Sequence, residues 1–299
     1  MSPPLIARLC VAGVGLMGGS LARALRAAGR VGEIVGWGRD PAHLERALAL
    51  GVIDRFEQDA AAAAAGADMV VLAVPVGATG EVLARLQPGL SPEAVVTDVG
   101  STKGSVVADV RRVLGGLPPW FVPGHPIAGT EQSGVEASVT GLFAGRRVIL
   151  TPEPETAAAA VARVRAMWEA VGAQVVETSA AHHDAVLAAT SHLPHMLAYA
   201  LVDTLARMDD SAEIFEYAAG GFADFTRIAS SNPAMWHDIC LANREALVAV
   251  MDRFLDDLAR LREAVAAGDS EFLRQTFERA KAARDAFAAR FTAPETARE

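Results

Sequence analysis

A turn of the form Gly13-x-Gly15-x-x-Gly18 constrains this chain more than any other feature. A short apolar run at 5–12 leads directly into it, and Leu21, Ala22 and Leu25 follow at helical spacing. The pattern is a strand, a tight turn and a helix. Gly13 permits the turn, Gly15 lets a ligand approach the backbone, and Gly18 lets the helix pack close to the strand. Free N–H groups at the start of the helix then face an anion such as a pyrophosphate. In this setting the turn predicts dinucleotide binding.

The remainder of the first half repeats the alternation. Strands are expected at 33–37, 68–74 and 94–98, with helices at 42–50, about 77–87 and 105–114 between them. The alanine run 60–65 reads as a helix of high propensity. The nearly continuous apolar run 68–74 suits a parallel strand covered on both faces. Two more strands, at 146–151 and 173–177, flank a helix. Residues 1–179 are therefore read as an α/β domain, a doubly wound, Rossmann-type and mostly parallel sheet.

From Ala180 onward the periodicity is helical almost to the end, so residues 180–299 are read as a C-terminal all-helical domain. Pro194 should kink the first of its helices. Asn232-Pro233 fits an N-cap followed by proline at the first helical position. One helix of about thirty residues is expected from there to Gly268, spanning roughly 45–50 Å. Such a length exceeds what a small domain needs, and it suggests a homodimer interface.

Totals exclude several classes. A formal net charge of −9 leaves no concentrated basic surface, which argues against a nucleic-acid partner. Cys10 and Cys240 are the only cysteines and give neither a disulfide framework nor a metal spacing. No metal site is expected. The N-terminal apolar run is too brief for a signal peptide, and no uninterrupted apolar stretch is long enough to span a bilayer, so a cytoplasmic protein is expected, away from membranes.

Cofactor contacts are expected from Gly13, Gly15, Leu16, Met17 and Gly18 in the turn, from Arg39 and Asp40 after the second strand, and from Val74 and Pro75 after the third. The strand end Gly38-Arg39-Asp40 leaves NAD and NADP open. The tip lacks an acid for ribose hydroxyls and offers an arginine for an extra phosphate, while Asp40 follows. Beyond the cofactor, His125 lies in a loop bracketed by Gly124 and Pro126, where it could accept a proton from a substrate hydroxyl as hydride leaves the same carbon. Ser101, Glu131, His195 and Arg227 are the other candidates.

Four stretches then become informative together. Gly124-His-Pro-Ile-Ala-Gly-Thr-Glu131, Asp98-Val-Gly-Ser-Thr-Lys103, Ser191-His-Leu-Pro-His195 and the run from Gly221 to Trp236 resemble the prephenate/arogenate dehydrogenase family of tyrosine biosynthesis. The resemblance covers the chain from Val11 to about Phe287, without room for a fused chorismate mutase or regulatory domain. It implies NAD(P)-dependent oxidative decarboxylation of prephenate to 4-hydroxyphenylpyruvate, or of arogenate to tyrosine.

By the same resemblance, His125 is the base on the ring hydroxyl and Ser101 helps orient that hydroxyl and the nicotinamide. Arg227 would bind a substrate carboxylate, and Glu131, His195 and Trp236 would lie near the substrate. His192 reads as structural, and His182-His183 as the start of a helix. Two rivals remain: a different hydroxyacid or imine dehydrogenase, and a dinucleotide-sensing protein without turnover.

Overall fold

The structure, a computed structural model, describes residues 4–130 and 132–292. β1 (Ile6–Ala12), α1 (Leu16–Ala27), β2 (Val31–Trp37), α2 (Pro41–Ala49), β3 (Arg55–Phe56), α3 (Ala60–Ala64) and β4 (Met69–Leu72) alternate as the pattern predicts. α4 (Thr79–Leu86), β5 (Val95–Asp98), α5 (Gly104–Leu114) and β6 (Phe121–Val122) continue the series. The six strands pair in parallel in the order β3-β2-β1-β4-β5-β6. Strand order therefore reverses between β1 and β4, which opens a crevice at their carboxyl ends.

Period-two side-chain alternation divides the core into two layers. Ile6, Leu9 and Val11 of β1 pack with Leu21 and Leu25 of α1 on one face. Cys10 and Ala12 pack with Val70, Leu72, Val96, Leu83 and Val110 on the other. Full burial of each large aliphatic side chain contributes about 1.5–3 kcal/mol. In this layer burial also pushes the Cys10 thiol up to about 12, as expected of an inert small hydrophobe.

After β6 the backbone leaves the sheet at Pro123 and starts a second one. β7 (Gly124–Pro126) runs antiparallel to β8 (Arg147–Leu150), which is followed by α6 (Ala158–Glu169) and pairs in parallel with β9 (Gln174–Glu177). The three-residue strand β7 carries His125 in its centre, opposite Ile149.

The helical half comprises α7 (Ala180–Leu187), a π turn (Ala188–His192), α8 (Leu193–Ala206), α9 (Ser211–Glu216), α10 (Gly220–Thr226), α11 (Pro233–Ala242), α12 (Arg244–Ala267) and α13 (Ser270–Thr292). Packing divides the chain inside α12, into one unit up to Leu247 and another from Val248. The helices from α7 to α11 thus belong to the same compact unit as the sheets. Continuous helix from Ala180 to Ala206, with mean hydropathy 1.3, has the length and composition of a bilayer span, unlike the expectation from sequence. However, the helix commits Asp184 and His183 to hydrogen bonds inside the protein.

The single thirty-residue helix expected from Pro233 is instead two. Asn243 interrupts it (φ −112°, ψ 30°), and its buried side-chain amide donates to the Asp184 carbonyl at 2.8 Å and approaches His192 Nδ1 at 3.1 Å. A buried amide must find partners or cost about 1–3 kcal/mol, and here it finds them at the break.

Candidate active site

The glycine turn sits at the crevice. Gly13 has φ +98° and donates its N–H to the Trp37 carbonyl at 2.8 Å. A Cβ on Gly13 would overlap the Ala73 carbonyl, and one on Gly18 would overlap the Gly13 carbonyl and Val11. A Cβ on Gly15 would meet open space. Packing therefore requires the first and third glycines, whereas the second keeps the backbone accessible. Gly15 caps α1 without a side-chain hydrogen bond, so the first-turn N–H groups, Leu16 and Met17 included, are available to an anion. These features fit a dinucleotide's pyrophosphate. Val74 is half-buried and lines the Gly13 turn, and Pro75 follows it, exposed.

Beyond β2, Arg39 is exposed, and Asp40 caps α2 by accepting from Ala42 N at 3.0 Å. His43 Nε2 lies 2.9 Å from the Val14 carbonyl and ties α2 to the turn.

His125 is only 9% exposed. Its Nδ1 lies 2.9 Å from Nε2 of His183, whose Nδ1 lies 2.7 Å from Asp184 Oδ1. Asp184 also accepts from the backbone N–H groups of Lys103 and Gly104, both at 2.8 Å, at the start of α5. Burial works against its charge, but the hydrogen bonds from His183, Lys103 and Gly104 prevail and hold its carboxyl below the usual carboxylate range. For His125, burial first, then His183, Lys103 and His192, lower the pKa well below that of a free imidazole. Burial therefore disfavours the imidazolium form of His125.

The preceding residue is clamped as well. Asp98 Oδ1 accepts from Gly124 N at 3.0 Å, and Lys103 Nζ donates to the Gly124 carbonyl at 2.7 Å. Lys103 also pairs with Asp98, and both are fully buried. Burial lowers the Lys103 pKa while Asp98 opposes that shift. Ser101 is half-buried in the loop between β5 and α5, two residues before Lys103.

Elsewhere in the same unit, His195 stacks on Trp236 with ring centroids 3.6 Å apart and planes at 22°. His195 Nδ1 meets the Ser191 carbonyl at 2.8 Å, one turn back across Pro194. Trp236 is buried and its indole N–H has no partner among the described residues. Arg227 is exposed at the head of a short turn, Arg227–Ser230, that packs on α8 and is pinned by Tyr199 Oη donating to the Ser231 carbonyl at 2.6 Å. Glu131 lies outside the described residues.

Sequence reasoning placed His125 in a cleft-facing loop but missed its support by His183, Asp184, Lys103 and Asp98. The available signal was polar residues at positions that pattern assigns to interior faces: Lys103 and Asp98 around a strand end, and His183-Asp184 in the first turn of α7.

Comparison with known proteins gives one answer. The prephenate dehydrogenase nucleotide-binding domain matches residues 21–177, and the prephenate dehydrogenase dimerization domain matches residues 179–279. The chain belongs to the prephenate dehydrogenase family. It is 39% identical to the cyclohexadienyl dehydrogenase of Zymomonas mobilis over 92% of this chain and 94% of that one. Identity to the prephenate dehydrogenase of Bacillus subtilis is 37%, over 93% of this chain and 75% of that protein. A solved prephenate dehydrogenase from A. aeolicus, in complex with hydroxyphenyl propionate and NAD+, superposes with a TM-score of 0.88 at 40% identity, covering 96% of this chain and 99% of that one. The matched nucleotide-binding domain and the NAD+ bound in the A. aeolicus structure support NAD(P) use and an oxidoreductase.

Proposed function

We propose that this chain oxidatively decarboxylates prephenate to 4-hydroxyphenylpyruvate with NAD(P), as a cytoplasmic homodimer. The observation that carries the reading is a buried His125 held next to the end of β5 by hydrogen bonds on both its ring and the preceding residue. Pyrophosphate binds at Gly13, Gly15, Leu16, Met17 and Gly18, with Arg39 and Asp40 toward the adenosine end and Val74 and Pro75 along the crevice. When bound, the nicotinamide supplies the hydride acceptor.

His125 takes the proton of the ring hydroxyl as hydride departs from the carbon that bears it. The ring carboxylate then leaves as carbon dioxide, its bonding pair completing the aromatic ring, so the step runs downhill. Ser101 aligns the hydroxyl. Arg227 anchors a substrate carboxylate through charge-assisted hydrogen bonds, roughly twice as strong as neutral ones. Glu131, His195 and Trp236 border the substrate. Residues 180–299 form the substrate and dimerisation half.

The test is an assay of the purified chain with NAD or NADP and with prephenate or arogenate, followed by absorbance of the reduced nicotinamide. Turnover of prephenate with either cofactor is the expected outcome. Turnover of arogenate alone replaces the substrate assignment, and silence in all four combinations overturns the reading.

A further inference from the structure

We propose that Asp184 and His183 are positioning residues that set His125 in the tautomer with its proton on Nδ1, leaving Nε2 as the proton-accepting atom. The inference rests on the reading of His125 as the base and deepens it. It is a matter of counting protons along three hydrogen-bonded side chains.

Asp184 is a carboxylate that can only accept, so the 2.7 Å contact requires a proton on His183 Nδ1. A neutral His183 then presents a bare Nε2, which can only accept. The 2.9 Å contact to His125 Nδ1 in turn requires that His125 donate. One proton remains for each ring, and on His125 it is already placed. Its Nε2 carries the free lone pair.

The chain would run the other way if His183 held two protons, because it would then donate to His125 and force the His125 proton onto Nε2. Two observations oppose that state. Both oxygens of Asp184 already accept backbone N–H groups at the positive end of the eleven-residue α5, so its charge is met without an imidazolium. His183 is 1% exposed, and a buried imidazolium is costly there. The groups facing the pair are Lys103 and Asp98 from the β5–α5 segment, Asp184 from α7 and His192 from the π turn.

Geometry separates this role from simple packing. His125 and His183 meet edge to face, with planes at 67°, and their nitrogens converge along one line of hydrogen bonds that ends in the backbone of α5. The same N-terminal segment follows Ser101, so the arrangement also ties the base to the loop that carries the aligning hydroxyl.

The decisive measurement is nitrogen NMR of the full-length, 15N-histidine-labelled protein at pH 7.5, with His125 assigned by the signals lost in His125→Asn. His125 and His183 are both expected to show a protonated Nδ1 and a bare Nε2. A proton on His125 Nε2, or two protons on His183, overturns the proposal. Because this measurement needs no turnover, its result is independent of the substrate assignment.

Kinetics add a second arm. His183→Leu, which removes the acceptor, is expected to lower kcat by roughly 10–100-fold with cofactor Kd and substrate KM unchanged. His183→Gln, whose amide oxygen reaches the former Nε2 position and accepts from His125 Nδ1, is expected to recover most of that loss. Equal losses in the two variants, or a loss confined to KM, overturn it.

Discussion

His125 and Arg227 are assigned different tasks, and their variants should fail differently. His125→Asn is expected to lose about 10²–10⁴-fold in kcat, the usual worth of a general base, while binding the cofactor normally. Arg227→Ala should instead raise the substrate KM at least tenfold and leave kcat within a few-fold, because it removes binding common to ground and transition states. An unchanged KM removes Arg227 from the carboxylate site. His192 makes a separate point about stability. Burial lowers its pKa to about 4, against 6.5 for the free side chain. As pH falls through 6.5 the unfolded chain takes up this proton first. His192 therefore leaves stability intact above pH 6.5 and erodes it toward pH 4, by at most about 3 kcal/mol. Burial of His125 acts in the same direction. Urea unfolding at pH 7.5 and 5.0 should show the loss, and His192→Asn should shrink the difference.

At the scale of elements, helix ends decide where the site residues stand. Asp40, Asp59, Ser179 and Asn232 each cap a helix with a side-chain oxygen, and Asn232-Pro233 was legible from sequence because the motif is local. The break at Asn243 was not. Its neighbours keep apolar three- and four-residue steps, and only its partners, the Asp184 carbonyl and His192, single it out. Asn243→Leu is expected to destabilise the chain by about 1–3 kcal/mol in urea unfolding, because the Asp184 carbonyl loses its side-chain donor inside the protein. A change within experimental error would mean that the break contributes nothing to holding α7 in place. The strand β7 shows the same dependence on distant partners. Three residues that follow Pro123 and end in Pro126 carry too little pattern to be read as a strand, and β8 supplies the pairing that makes them one.

For the molecule as a whole, the late helices leave large apolar side chains uncovered. Leu255 is 53% exposed, Leu258 48% and Val265 67% on α12, and Phe277 is 61% exposed on α13. Scattered surface leucines need no explanation, but a helix that repeats them along its length does. The reading of residues 180–299 as a dimerisation half accounts for them by burial against a second copy. Leu255→Asp combined with Leu258→Asp is expected to convert a sedimenting dimer into a monomer. A dimer that persists would place the interface elsewhere.

Much about this protein was readable from the chain alone. The Gly13–Gly18 turn, the alternation of strands and helices, and the four family stretches depend on residues close together in sequence, and short-range sterics and side-chain periodicity are properties of neighbours. His125 could be singled out as a candidate for the same reason, within its own short stretch. What surrounds it was decided only by the tertiary structure. Asp98, Lys103, His183, Asp184, His192 and Asn243 come from segments separated by up to 145 positions, from 98 to 243, and each reads alone as an ordinary polar residue. Folding removes water from all of them at once. Groups that must then satisfy one another are aligned by that necessity, which no local pattern encodes.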